Sequence, residues 1–329
     1  MKFFLILVLS SVFVLPLNAD ECSNYNQNIK KATYTIGGDW LYWKTSDTQL
    51  NYGATVSVTT TPTTADIVSM IQRPDFKYDN GYRVYGIYQP CNYNWECAVI
   101  YSHIPSYSTN SNGNPNMPAT LQNFIQIFGS NFPLLTILSD APLTSLDVIW
   151  DTSVSYLDID FSRECKLACN FNISPHFGLR GYYEKQTFSL NGTADPELSF
   201  NSVLGSKISS FGLEGGVKAS WNIYKGFSFI GNVGGAVLYA RTHNSGSLVA
   251  SSFIDDLVTT IGYKDKVHHG LTIVDAFIGV EYAGEVKCRS FSIHAGWEIH
   301  NIYEASEFSL TGLGCLTLQG LTLGGDVSF

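Results

Sequence analysis

The sequence predicts an all-β protein: a transmembrane antiparallel up-and-down β-barrel of about ten strands, with short periplasmic turns and long extracellular loops. Three observations carry this expectation. First, Leu318 to Phe329 reads L-Q-G-L-T-L-G-G-D-V-S-F. Leu321, Leu323, Val327 and Phe329 fall on one face, and Thr322, Asp326 and Ser328 on the other, the period of a strand with one apolar side. A strand that ends on an aromatic suits the closing strand of an outer-membrane barrel, with Phe329 at the membrane interface as the assembly signal. Second, aromatic residues make up 14% of the chain, with 19 Tyr and 20 Phe, beside 29 Gly, while charged residues are only 14%. The usual globular share of charge is about 25%. Third, short and long connections alternate along the chain, as they do between the two sides of such barrels.

The strands are read in order as 33–45, 76–89, 94–103, 146–162, 170–188, 207–223, 227–241, 271–283, 289–301 and 317–329. The plainest is the ninth, where Phe291, Ile293, Ala295, Trp297 and Ile299 alternate with Ser292, His294, Gly296, Glu298 and His300. In the sixth, Phe211, Leu213, Val217, Trp221 and Ile223 alternate with Glu214 and Lys218. In the fifth, Phe177 and Leu179 oppose His176 and Arg180; in the fourth, Leu157, Ile159 and Phe161 oppose Asp158 and Asp160. In the eighth, Ile278, Val280 and Tyr282 oppose Asp275 and Glu281. A soluble sandwich would alternate in the same way, but its strands are usually shorter than the roughly 10 residues that cross a bilayer when tilted.

Short turns are expected near 90–94, 163–169, 224–226 and 284–288. Long polar loops are expected near 45–65, 103–145, 191–205, 242–270 and 303–314. Ten strands is an even number and returns both ends of the barrel to one side. Twelve is the alternative if 103–145 holds a further hairpin. Within that segment Leu121, Phe124, Ile125 and Phe128 have helical spacing, which suits either a lid on the rim or a segment folded into the barrel.

At the other end Met1-Lys2 is followed by an apolar run to Leu17 and by small Ala19. Residues 1–19 are read as a signal peptide. Residues 20–32 are then a periplasmic segment and 33–329 the barrel with its loops. The formal charge is −9 and no basic stripe suggests nucleic acid as a partner.

Charged side chains on the polar faces are the candidate pore lining: Arg83, Asp158, Asp160, Arg180, Glu214, Lys218, Asp275, Glu281 and Glu298. His176 and His294 share those faces. A charge at the lipid-facing midplane costs about 2–4 kcal/mol, so these groups belong in the lumen. There they either set ion preference or pair with one another to fill a narrow barrel. With six acids and three bases, an open pore is expected to prefer cations mildly. The histidines show no ligand spacing of metal-site type, so neither a metal nor a cofactor is expected. The Gly231 to Gly235 cluster lies within a strand and is not a phosphate loop. No nucleophile has a strand–turn–helix setting, so the chain does not read as an enzyme.

The chain has seven Cys. Cys91 and Cys97 flank one short turn, Cys165 and Cys169 another, Cys288 lies beside a third, and Cys22 precedes the first strand. Local bridges Cys91–Cys97 and Cys165–Cys169 are one reading, and bonds to other molecules the other.

Several segments carry a family resemblance. They are Gly37-Gly38-Asp39-Trp40-Leu41-Tyr42-Trp43-Lys44, Asp79-Asn80-Gly81-Tyr82-Arg83-Val84, Ser174-Pro175-His176-Phe177-Gly178-Leu179-Arg180, Gly296-Trp297-Glu298 and Leu321-Thr322-Leu323-Gly324-Gly325. In this order the chain resembles the pore-forming major outer membrane proteins described from Legionella and the Chlamydiae. The resemblance implies a barrel with a water-filled pore. It also implies disulfide linkage to cysteine-containing envelope proteins, for which Cys22 and Cys288 are the first candidates. Outer-membrane lipid and the barrel-assembly machinery are the remaining expected partners. The functional expectation is passive diffusion of ions and small hydrophilic solutes through the lumen. The alternative is a non-conducting structural protein or adhesin, a role that loops such as Val56 to Thr64 would serve.

Overall fold

The computed structural model describes residues 32–47, 53–60, 65–72, 75–91, 94–112, 143–194, 198–252, 257–286, 289–303 and 315–329. Thirteen strands follow in order: β1 (Thr33–Asp47), β2 (Gly53–Thr60), β3 (Ala65–Gln72), β4 (Tyr78–Gln89), β5 (Trp95–Asn112), β6 (Leu143–Arg163), β7 (Cys165–Ala168), β8 (Phe171–Ala194), β9 (Leu198–Tyr224), β10 (Phe227–Ser252), β11 (Leu257–Val286), β12 (Arg289–Tyr303) and β13 (Cys315–Ser328).

Ten of these strands form a closed antiparallel ring. The sheet runs β6-β5-β4-β1-β13-β12-β11-β10-β9-β8, and β8 pairs back onto β6. The seam is β1 with β13, in continuous register from Thr35↔Ser328 to Asp47↔Leu316. Two further backbone bonds between Tyr34 and Phe329 extend it. β7 pairs only with β8 among the described residues, so it is a short extra piece at the turn end. β2 and β3 form a separate hairpin outside the ring.

Why each strand faces as it does follows from the alternation. Tyr82, Val84, Leu157, Phe177, Leu213, Trp221, Ile278, Trp297 and Leu323 are exposed, and they form the outer apolar surface. Their alternating neighbours Arg83, Asp158, Arg180, Glu214, Asp275, Glu298 and Thr322 are half-buried or buried. Along β10 the outward residues run Phe229, Val233, Val237, Tyr239. Ten residues of tilted strand rise about 25 Å, the height of the apolar band of an outer-membrane barrel.

The strands are much longer than the sequence suggested. β8 to β11 hold 24, 27, 26 and 30 residues, where crossing a bilayer needs about 9–11. The expected loops at 191–205 and 242–270 are mostly paired strand: Asn191 faces Asn201, and β10 stays in register with β11 as far as Ser252↔Leu257. Beyond the membrane the outward face meets water instead of lipid, so no outward apolar period is enforced while the backbone ladder continues. The loop expected at 103–145 narrows for the same reason, because β5 runs to Asn112 and β6 starts at Leu143. The helical pattern at Leu121 to Phe128 lies outside the described residues. The loop expected at 45–65 contains β2.

The tightest turn joins β9 to β10. Lys225 and Gly226 both have positive φ, 34° and 89°. This is the backbone hand that matches the twist of the strands it connects. A Cβ on Gly226 would collide with the carbonyl oxygen of Ala283. Gly226→Val is therefore expected to cost about 1–2 kcal/mol. The urea midpoint of the refolded barrel in liposomes, followed by tryptophan fluorescence, checks this; an unchanged midpoint contradicts it.

Candidate functional site: the barrel lumen

All eleven side chains singled out from the sequence lie on the face opposite the exposed apolar surface, and all are half-buried or buried. The structure joins most of the charged ones into one chain of contacts across the lumen. Two arginines organise it. Arg83, from β4, donates Nη1 to Asp39 Oδ2 at 3.1 Å and Nη2 to Glu298 Oε1 at 2.8 Å. Its Nε donates to Ser102 Oγ at 3.1 Å. Arg180, from β8, grips Asp158 with two parallel bonds, Nε to Oδ1 at 2.9 Å and Nη2 to Oδ2 at 3.0 Å. Glu214 Oε2 lies 2.7 Å from Nε, and Asp275 pairs with Nη1. The planar five-donor fork of Arg suits such convergence of several carboxylates.

His300 links the two halves. Its Nε2 is 2.9 Å from Glu298 Oε1 and its Nδ1 is 2.6 Å from Asp275 Oδ1. At the far end His294 Nε2 is 3.1 Å from Asp39 Oδ1. The contacts therefore run His294–Asp39–Arg83–Glu298–His300–Asp275–Arg180–Asp158 and cross from β12 to β6. Thr322 Oγ1 donates to Glu298 Oε2 at 2.9 Å and accepts from Trp43 Nε1 at 3.2 Å. Gly324 makes room at the seam: a Cβ there would strike the Asp39 carboxylate, and His294 Nε2 would be only 2.7 Å away.

The remaining predicted residues lie toward the short-turn end. Lys218 is in register with Ser174 and Asn232, and Glu281 with His294. His176, Lys218, Glu281 and His294 are half-buried, so this part of the lumen is polar and partly wet. Asp326 accepts from Ser292 Oγ at 2.8 Å and Tyr85 Oη at 3.4 Å.

Toward the long-strand end the lumen is different. Leu41, Trp43, Ile104, Val154, Tyr156, Tyr182, Leu271, Ile302 and Leu318 pack into one buried cluster, with Leu41 at 0% and Trp43 at 1% exposure. The Arg83 guanidinium lies 5.9 Å from the Trp43 ring centre, and that of Arg180 lies 5.5 Å from Tyr156. Trp43 and Tyr156 also flank His300, with ring centres 4.9 and 5.5 Å away. The inward face is therefore apolar at this end. A ten-stranded barrel is little wider than the eight-stranded kind that side chains fill, so its upper half packs as a core. Trp43 belongs to this core, while Trp40 and Tyr42 face outward.

Sequence reasoning missed Asp39 and Glu184. Asp39 lies in a stretch where Trp40, Leu41, Tyr42 and Trp43 make both faces apolar, so no alternation assigns it a side. Glu184 is fully buried, accepting from Tyr182 Oη and Gln186 Nε2. Only the parity of β8, read upward from Arg180, would have placed it.

Cys91, Cys97, Cys165 and Cys169 are all free thiols, so neither local bridge is closed. Cys22 and Cys288 lie outside the described residues.

The whole barrel matches a known protein family. The family model described as Legionella pneumophila major outer membrane protein precursor matches residues 28–328. The chain belongs to this family. It is thus an outer membrane protein of the β-barrel kind. Among curated proteins, none is similar by sequence. Solved barrels are similar only distantly. The outer membrane protease OmpT of Escherichia coli has a TM-score of 0.39 and 10% identity, covering 93% of this chain and 99% of that one. A major outer membrane protein of Thermus thermophilus has a TM-score of 0.33 and 10% identity, covering 91% and 100%. The CymD monoaromatic hydrocarbon channel has 0.35 and 10%, covering 92% and 90%.

Removing one side of a buried ion network leaves its partners uncompensated. Arg180→Met is expected to lower stability by about 3–5 kcal/mol, since three carboxylates lose their cation. Lys218→Met, nearer the wet end, is expected to change it by less than about 1 kcal/mol. Urea titration of both variants in liposomes checks the contrast; equal losses contradict it.

Proposed function

We propose that this outer membrane protein is a porin-like barrel through which ions and small hydrophilic solutes diffuse passively, at low and intermittent conductance. The observation that supports this reading is the charge network spanning the lumen from Asp39 to Asp158. Buried ion pairs give little net stability over apolar packing of the same volume. A barrel serving only as a wall element would stand as well on an apolar interior. Charged groups facing a partly wet lumen are what ions need in order to shed their water. The inward acids Asp39, Asp158, Asp160, Glu214, Asp275, Glu281, Glu298 and Asp326 outnumber Arg83, Arg180 and Lys218, which favours cations. The packed layer around Trp43 and Tyr156 is the step that limits passage, because these rings must turn aside for water to become continuous.

The same layer favours a second reading, a non-conducting structural barrel. Planar-bilayer recording separates the two. Under the pore reading the protein gives small steps with reversal potentials on the cation side, and Trp43→Ala combined with Tyr156→Ala raises the conductance several-fold. Silence from both proteins supports the structural reading, and anion preference contradicts the proposed lining.

Partners follow from location: outer-membrane lipid around the exposed band, the barrel-assembly machinery during insertion, and cysteine-containing envelope proteins at the short-turn rim. Cys91 and Cys169 are exposed there. Non-reducing gels of native envelopes are expected to show reductant-sensitive species larger than the monomer. A monomer alone contradicts cross-linking.

A further inference from the structure

The outer surface of the long strands carries a feature that the lumen does not explain. Four basic side chains stand directly opposite one another on four adjacent strands. Lys185 on β8 faces Lys207 on β9, Lys207 faces His243 on β10, and His243 faces Lys266 on β11. One outward step nearer the short turns, Arg241 faces His268. All six are exposed. Lys264 extends the group on β11, and the exposed acids Asp151 and Asp265 flank it. With strands about 4.8 Å apart, the row is roughly 14 Å wide.

Lys185 and Lys207 are like charges directly opposite on the sheet, an arrangement that is destabilising. The chain carries only 19 Lys and Arg against 28 Asp and Glu, so a row of bases is not a by-product of composition. Local desolvation, followed by the charges of Arg241, Lys266, His268 and Lys207, holds the His243 imidazole below its ordinary value.

The height of the row decides the kind of partner. Phe211 and Tyr239 are the last large outward side chains of the apolar band on β9 and β10, and they face each other. Arg241 is the next outward position after Tyr239, and His243 the one beyond it. The row therefore begins where hydrocarbon gives way to headgroups, on the side with long strands, which in such barrels is the outer leaflet. Cations at headgroup height attract anionic lipid.

We propose that the row Lys185–Lys207–His243–Lys266, with Arg241 below it, binds the phosphate groups of the outer leaflet's phosphorylated glycolipid, lipopolysaccharide. The acyl chains would lie against Phe211, Tyr239 and Val237. The phosphates would offset the repulsion between the facing bases, so lipid and row stabilise each other.

The test uses the full mature chain refolded in non-ionic detergent. Binding is measured to lipopolysaccharide, to the same material after enzymatic dephosphorylation, and to phosphatidylglycerol. The variant K185Q/K207Q/K266Q is compared after its folding is checked by heat-modifiable gel mobility. Wild type is expected to bind lipopolysaccharide at least about tenfold more tightly than the variant, and to lose that margin on dephosphorylation or in high salt. Without lipid the variant is expected to melt no lower than wild type, since facing like charges are gone. If the triple variant does not refold, K207Q alone, in the middle of the row, is expected to weaken binding about fivefold. Equal binding by wild type and variant overturns the proposal, as does equal binding of dephosphorylated material. Equally tight binding of phosphatidylglycerol overturns it in favour of a general anionic-lipid surface.

Discussion

In hydrocarbon no water is present to satisfy a backbone amide, so a sheet that spans a membrane must have no edge. The pairing of β1 with β13 meets that demand. Much else in the molecule depends on it. Closure of ten strands fixes a narrow interior. Whatever faces inward must then be paired, packed or wet.

The lumen uses all three solutions in sequence along its axis. At the short-turn end the groups around Glu281, Lys218 and His176 are half-buried. In the middle, two arginines and His300 gather Asp39, Glu298, Asp275, Asp158 and Glu214 into one chain of contacts. Above, the aromatic and aliphatic cluster excludes water. The layers are not independent: Trp43 and Tyr156 lie over the two guanidinium groups and flank His300. The rings shield the network on one side, and the network satisfies Trp43 through Thr322. Buried ion pairs give little net stability over apolar packing of the same volume, so the barrel does not need the network in order to stand.

The outer surface shows the complementary logic. Across the bilayer it is apolar and aromatic; beyond the band it turns basic along one row of four strands. Those strands continue well past the membrane because the ladder, once started by membrane-level pairing, costs little to extend. Here the sheet presents charge outward in a chain whose overall balance is acidic.

The barrel was legible in the sequence because lipid enforces a period of two. Wherever a strand crosses hydrocarbon, as at Phe211–Trp221 or Ile293–Trp297, one face must be apolar, and the eleven inward side chains could be placed by parity alone. Where that pressure ends, so does the signal. The ladders at 191–205 and 242–270 read as loops because their outward faces no longer meet lipid and carry no apolar period. Asp39 was hidden by a run of four apolar neighbours. The sequence by itself determined which stretches cross the membrane and, outside the first strand, which face each turns to lipid. Only the tertiary structure decided that the upper lumen is packed, that Arg83 and Arg180 share one network through His300, and that four distant bases form a row. Those are matters of register and of barrel width, set by how strands slide past one another on closure, and no single strand carries that information.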